Sequence, residues 1–357
     1  MAPESKHVRS LLNTEPFCKS ELGSLQRVDV ETLPILKNLS IKRLILAPGS
    51  IREPHWHANC NELAYCLRGS LIVSILDNGS EFSSFTISAG EMFHIVSGSL
   101  HYIENIGDDE AECIIAFRHE KPEDFSLQAS FGAMSDAVLG NTYDQPASQW
   151  KNIKRDTNPR WLLKRDGPAK VDIKGNKTIH LGNPHKFNIE GMTPPVAADI
   201  GSARTARKQF WPILDNISMY SLRVEEDGMR EPHWHPETAE MGYVHEGRAR
   251  MSIMDPDGSV DTYTLQPGDM YFIPRAYPHQ IEVLGDEKIH FLIFFDQPTP
   301  QDIGYRTSAT LVSGEVMAAT FGVSEDKLPV FPLTSKDPLI VGKANMVDPV
   351  VNGTFST

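Results

Sequence analysis

The chain predicts an all-β protein, two tandem barrels or sandwiches with short flanking helices, and three observations carry that prediction. The hexapeptide Arg-Glu-Pro-His-Trp-His begins at position 52 and again at position 230, an offset of 178 in a chain of 357 residues. The same offset lays Gly23-Ser24 on Gly201-Ser202, Leu36, Asn38 and Ser40 on Leu214, Asn216 and Ser218, and Phe117, Pro122 and Asp124 on Phe295, Pro300 and Asp302. No insertion or deletion interrupts it, which is the mark of a unit copied whole. Between the landmarks lie short runs rich in β-branched and aromatic residues, separated by Gly, Asn, Asp and Pro. That pattern belongs to sandwiches and barrels.

Taken in order, LRGSLIVSIL (67–76), SSFTISAGEMFHI (83–95) and AECIIAF (111–117) read as strands of the first copy. ARMSIMD (249–255), DTYTLQPGDMYFI (261–273) and IHFLIFF (289–295) read as strands of the second. Turns fall at Asp77-Asn-Gly79, Ala89-Gly90, Asp255-Pro-Asp-Gly258 and Gln266-Pro-Gly268, where backbone freedom or a fixed φ is needed. Helical character follows each β block, at 135–143 and 313–322. The division expected is a first domain at 20–143, a connecting segment rich in Lys, Pro, Gly and Asn at 144–195, a second domain at 196–325 and a tail at 326–357. The ends, before about 20 and beyond about 340, are weakly patterned.

Hydrophobic content of 40% and charged content of 23% are those of a globular protein, and the formal net charge is −13. That acidity speaks against nucleic acid or an anionic membrane as partner. It leaves room for a small anionic substrate, because a local arginine outweighs distant charge screened by salt. No apolar run has the length of a signal-peptide core or a membrane helix. Cys18, Cys60, Cys66 and Cys113 form no CxxC pair and read as free thiols, so a cytoplasmic address is expected.

Alternate residues of a strand share a face, so His55 and His57 project together, as do His233 and His235. Glu62 and Glu240 follow five positions after the second histidine, close enough for the next strand to return a carboxylate. His101 and His279 lie on a later strand at matched spacing. Three imidazoles and one carboxylate in each half suit a divalent ion of intermediate hardness, with manganese expected and iron the alternative, one per domain. Four protein ligands leave two positions of an octahedral ion for water, dioxygen or a bidentate acid.

These residues resemble a known family. Gly49-x5-His55-x-His57-x4-Glu62-x6-Gly69 followed by Gly90-x7-Gly98-x2-His101-x3-Asn105 resembles the two cupin motifs. His233-x-His235-x4-Glu240-x6-Gly247 and Gly268-x5-Pro274-x4-His279 repeat them. The doubled arrangement, with Arg-Glu before each Pro-His-Trp-His, resembles bicupins of the oxalate decarboxylase type over about residues 20–325. The resemblance implies two double-stranded β-helix barrels, a manganese ion in each, assembly into trimers or pairs of trimers, and oxalate as reference substrate. Turn positions depart from it: Val96 stands for a proline, Ala276 for a glycine and Val283 for an asparagine.

The departures that touch chemistry concern protons. The family's lid, Ser-Glu-Asn-Ser-Thr, has no counterpart in Arg118-His-Glu-Lys-Pro-Glu-Asp-Phe125, and Ile293 stands where the second barrel's glutamate is expected. Glu120, Glu123 and Asp124 are the acids left in the shortened loop as candidate proton carriers. The recurring Pro-x-Asp also reads as a turn or helix cap at Asp124 and Asp302. Arg52 and Arg230 are the candidates for holding the far end of a small carboxylate substrate by paired charge-assisted hydrogen bonds. Strict alternation turns them away from the histidines. A bulge at Pro54 or Pro232, where no N–H serves the ladder, turns them back. Three functions compete: manganese-assisted cleavage or oxidation of a small carboxylate, a metal-dependent oxygenase or isomerase on another metabolite, and metal or ligand binding without turnover.

Overall fold

A computed structural model describes residues 5–77, 81–167 and 182–345. The chain forms two compact units, one of residues 11–192 with 208–217, the other of residues 1–10, 193–207 and 218–357. In the first unit one sheet runs Lys186–Asn188, Glu91–Ile95, Glu62–Arg68, Ala111–Phe117, Ser40–Leu46, Gly23–Val28, Cys18–Ser20. The other runs Asp124–Ser126, Ser50–His57, Leu100–Asn105, Ser70–Asp77, Glu81–Ser88. Leu162–Lys164 also pairs with Ser50–His57. Side chains from both sheets, among them Val73, Ile75, Ile87, Phe93, Ile95, Ile115 and Phe117, meet in one core. Each such side chain, removed from water, contributes about 1.5–3 kcal/mol.

The second unit repeats this. One sheet runs Val8–Ser10, Asp269–Ile273, Glu240–Glu246, Ile289–Phe295, Ser218–Val224, Gly201–Ala206, Val196–Ala198. The other runs Val260–Leu265, Arg248–Met254, His279–Leu284, Gly228–Trp234, Ile303–Gly304, with Ile340–Gly342 also paired to Gly228–Trp234. The expected all-β pair of barrels is therefore present, and each barrel's middle strands carry the histidines.

The edge strands depart from the expected domain division. Val8–Ser10, at the head of the first copy, pairs with Asp269–Ile273 of the second. Lys186–Asn188, at the head of the second copy, pairs with Glu91–Ile95 of the first. A histidine pins each arm. His7 Nδ1 donates to Phe272 O at 2.8 Å and Nε2 lies 3.0 Å from Asp255 Oδ1. His185 Nδ1 donates to His94 O at 2.9 Å, with Nε2 3.7 Å from Asp77 Oδ2. The segments 144–195 and 326–357, expected to connect and to trail, thus supply strands to the barrels. Residues 168–181 and 346–357 of them lie outside the described residues, as does most of the turn expected at Asp77-Asn-Gly79.

The expected helices are Asp136–Thr142, capped by Ser135, and Gly314–Phe321, capped by Ser313 and ended by Gly322 at φ 65°. Two more, Leu127–Gly132 and Tyr305–Leu311, precede them. Ser126 caps the helix that begins at Leu127, so Asp124 is not the cap that its Pro-x-Asp setting implied. All four cysteines are free. No described helix is long and apolar enough to cross a membrane.

Candidate metal centre

Ser50–His57 carries His55 and His57 inward, Glu62 opens the next strand, and His101 lies opposite His55 on Leu100–Asn105. One potential ligand atom from each of the four falls within 4.8 Å of the others, and all four residues are buried. His233, His235, Glu240 and His279 form a second such group with the same burial. The structure thus brings together each quartet that the spacing singled out.

The imidazoles are oriented from behind. His55 Nδ1 donates to Glu53 O at 2.7 Å and His101 Nδ1 to Ser99 O at 2.9 Å. His233 and His279 do the same to Glu231 O at 2.7 Å and Tyr277 O at 2.9 Å. A proton on Nδ1 leaves Nε2 as the free lone pair, the arrangement metal-binding histidines use. Nε2 of His101 and of His279 is buried without a hydrogen-bond partner among the described residues. Each lies 3.6 or 3.5 Å from its glutamate, too far for a hydrogen bond. Burial, helped by the Arg52 charge, holds His55 well below its ordinary pKa; burial and Arg230 do the same to His233. These rings are neutral. Burial raises Glu62 and Glu240, but the surrounding imidazoles outweigh it and hold both carboxyls well below the usual range. Neutral imidazoles, ionised carboxylates and orphaned nitrogens facing one point are a donor set that fits a divalent cation.

His57 and His235 are held differently. His57 Nε2 meets Glu62 Oε2 at 2.7 Å and Nδ1 meets Asp124 Oδ1 at 2.7 Å. His235 Nε2 meets Glu240 Oε2 at 2.8 Å, and its Nδ1 donates to Gln301 O at 3.1 Å and lies 2.8 Å from Asp302 Oδ1. Burial pulls both rings down, but the carboxylates prevail: His57 is raised and His235 reaches about 9. A cation entering either group must displace that proton.

The arginines are buried, and the expected bulge is there. His101 pairs with His55 and Ile103 with Arg52, so three steps on one strand match two on the other. Arg230 and His233 show the same shift. The extra residue puts Arg52 and Glu53 both into the interior. Yet the guanidinium is already engaged. Arg52 donates from Nη2 to Asp124 Oδ2 at 3.2 Å and from Nη1 to Trp161 O at 3.4 Å. Arg230 donates to Asp302 Oδ2 at 2.6 Å and Leu339 O at 3.1 Å. Glu53 accepts from Trp161 N at 2.8 Å and Glu231 from Leu339 N at 3.0 Å. The repeated Arg-Glu therefore grips a strap, Trp161 or Leu339, that leads into the added strand. Both strap residues have positive φ, 64° and 68°.

Of the loop acids, only Asp124 joins the group. Glu120 accepts from Asn38 N at 2.8 Å, and Glu123 is exposed. Asp124 also receives Lys42 Nζ at 2.9 Å. Burial raises Asp124, but Lys42, His57 and Arg52 overturn that and keep it far below the carboxylate range. It is a fixed anion that ties a candidate ligand to an arginine. Asp302 does the same in the second barrel and is held at about 2, burial being outweighed by Arg230 and His235. Lys42, Asp302, Trp161, Leu339 and Tyr271, whose hydroxyl donates to Glu240 Oε1 at 2.7 Å, were not singled out as site residues by the sequence reading. The one signal for Asp302 was its recurrence at the offset.

The cupin family model matches residues 9–149 and 187–328. Oxalate decarboxylase OxdC of Bacillus subtilis is 26% identical over 326 residues, 90% of this chain and 84% of that protein. A probable oxalate decarboxylase of Arthroderma benhamiae is 24% identical over 84% of this chain and 75% of its own length. Germin-like protein 5-1 of Oryza sativa subsp. japonica is 33% identical over 138 residues, 37% of this chain and 62% of that one. The solved oxalate decarboxylase of Bacillus subtilis superimposes with a TM-score of 0.84 at 25% identity, covering 96% of this chain and 89% of that one.

Proposed function

The chain belongs to the cupin family, twice over, and from that premise we propose a metal-dependent bicupin that holds one manganese ion in each barrel and acts on a small carboxylate. The ligands are His55, His57, Glu62 and His101 in the first barrel and His233, His235, Glu240 and His279 in the second. Iron is the alternative occupant. One observation carries the reading: in both barrels a buried imidazole nitrogen, of His101 or His279, has no hydrogen-bond partner among the described residues and faces two more imidazoles and a carboxylate. An orphaned buried nitrogen costs stability unless something fills its lone pair. When bound, the ion supplies Lewis acidity and one-electron chemistry to a coordinated acid.

The chain's own residues shape what that chemistry can do. Asp124 and Asp302 hold His57 and His235 by Nδ1, and Arg52 and Arg230 give each interior a fixed positive charge beside the ligands. That charge favours an anionic substrate. Direct bidentate capture requires the guanidinium to leave its aspartate or its strap carbonyl. The reference reaction is that of the relatives named oxalate decarboxylase, and its product formate needs a proton delivered to carbon. Glu123 is exposed, Glu120 accepts from Asn38 N and Asp124 is paired with Lys42, Arg52 and His57, so none of the three loop acids stands free beside the quartet. This favours oxidation of the acid, with dioxygen taking the two electrons and two protons to become peroxide, or a metal-dependent oxygenation of another small metabolite, over decarboxylation. A cytoplasmic address and assembly into trimers or pairs of trimers belong to the same reading.

Purified protein analysed for metals, then given oxalate at mildly acidic pH, tests it. Two equivalents of manganese with carbon dioxide and peroxide are expected. Formate in place of peroxide transfers the assignment to decarboxylation. A full metal complement without turnover of oxalate or other small acids leaves a binding protein, and absence of metal uptake ends the proposal.

A further inference from the structure

The two quartets differ at the second oxygen of the glutamate. Glu240 turns Oε2 to His235 and His279 and gives Oε1 to the Tyr271 hydroxyl, 2.7 Å away. Glu62 turns Oε2 to His57 and His101 in the same way, but its Oε1 is buried with no hydrogen-bond partner among the described residues. The residue opposite in register explains the difference. Tyr271 pairs with Gly242 on the neighbouring strand, and at the same place in the first barrel Phe93 pairs with Ala64. A Cβ at Gly242 would stand 2.1 Å from the Tyr271 ring, so only glycine lets the ring lie where its hydroxyl reaches the carboxylate. Glycine with tyrosine, alanine with phenylalanine: the two positions change together, and the hydrogen bond exists in one barrel only. Tyr271 is fully buried, and a phenol hydroxyl 2.7 Å from a carboxylate oxygen is placed to donate to it.

Resting on the metal reading above, we propose that Tyr271 is a positioning residue that fixes Glu240 as a one-oxygen ligand, while Glu62 keeps both oxygens available to its ion. A carboxylate can bind through one oxygen or two, and a charge-assisted hydrogen bond to the second oxygen removes that freedom. The second barrel then holds its ion in a set geometry and releases it slowly. The first barrel has a carboxylate that can change its mode of binding when a substrate acid arrives. Outer partners of this kind change metal affinity by about 10–100-fold.

The test loads the full chain with manganese(II) alone, two equivalents, and follows release to excess chelator together with the spectrum of the bound ion by electron paramagnetic resonance. Wild type should release in two phases separated by about 10–100-fold, and Glu240→Ala should remove the slower one. Tyr271→Phe, which keeps the ring, should bring the slow phase to within a few-fold of the fast phase and shift one of the two spectral components. The reciprocal Ala64→Gly/Phe93→Tyr chain should slow the fast phase about tenfold. A slow phase unaltered in Tyr271→Phe, or both phases accelerated alike, overturns the proposal while leaving the metal sites intact. A wild-type chain that takes up no manganese overturns the metal reading itself, and this inference with it.

Discussion

In the first barrel Asp124 stands among three cationic or protonated partners, Lys42, Arg52 and His57; in the second Asp302 meets two among the described residues, Arg230 and His235. Where Lys42 enters the first barrel, Tyr220 enters the second and packs edge-on against Phe295. Where the second barrel has Tyr271 on its glutamate, the first has Phe93. The ligands are alike and their surroundings are not. The four candidate ligand positions carry the same residue types in both barrels. The residues behind them differ between the two barrels, and partners of that kind tune the affinity and geometry with which an ion is held.

The strongest way to break this comparison is at the ligands. Glu62→Ala and Glu240→Ala should each lower bound manganese from two equivalents to one, as read by metal analysis after gel filtration. An unchanged content in both variants removes Glu62 and Glu240 from the ligand set. The next largest effect should come from the aspartates. Asp124→Asn leaves Lys42 and Arg52 buried without their shared anion and should cost about 3–5 kcal/mol. Asp302→Asn leaves one arginine that still has Leu339 O, and should cost about 1–3 kcal/mol. Urea unfolding measures both, and equal losses would mean that Lys42 does not depend on Asp124.

Protonation sharpens the comparison further. In the metal-free protein His235 is raised from 6.5 to about 9, so its contribution to stability is complete below pH 6.5 and is lost as pH climbs through 9. Metal-free protein should therefore melt at progressively lower temperature between those pH values, and Asp302→Asn should flatten the slope. Manganese uptake near pH 7 should release about one proton from the second barrel, measurable in weak buffer. The smallest effect concerns a turn. Ala276 sits at φ 66° where the first barrel has Gly98 at φ 84°. Ala276→Gly should stabilise by about 0.5–1 kcal/mol and Gly98→Ala should destabilise by about as much.

The sequence made the quartets legible because four residue types recur at one spacing, and identity at a fixed offset survives any uncertainty about strand ends. It also made the bulge legible, since Pro54 and Pro232 have no N–H for the ladder. The straps were not legible. Leu162–Lys164 and Ile340–Gly342 occupy matched positions but share no residue, so alignment by identity passes over them. The arms carry a fainter signal, a single matched residue: His7 and His185 also differ by 178. Tyr271 was hidden for another reason. A tyrosine facing a phenylalanine across two copies reads as core, and the hydroxyl matters only once a glycine on the next strand has made room for it.

Because Val8–Ser10 completes the sheet of the second copy and Lys186–Asn188 that of the first, a cut between the copies takes an edge strand from each. A fragment stopping before residue 185 keeps a loose leader that belongs elsewhere and exposes the Glu91–Ile95 edge. The complementary fragment does the reverse. The doubling is locked in: once each copy depends on the opening residues of its sister, neither can be lost without stranding the other.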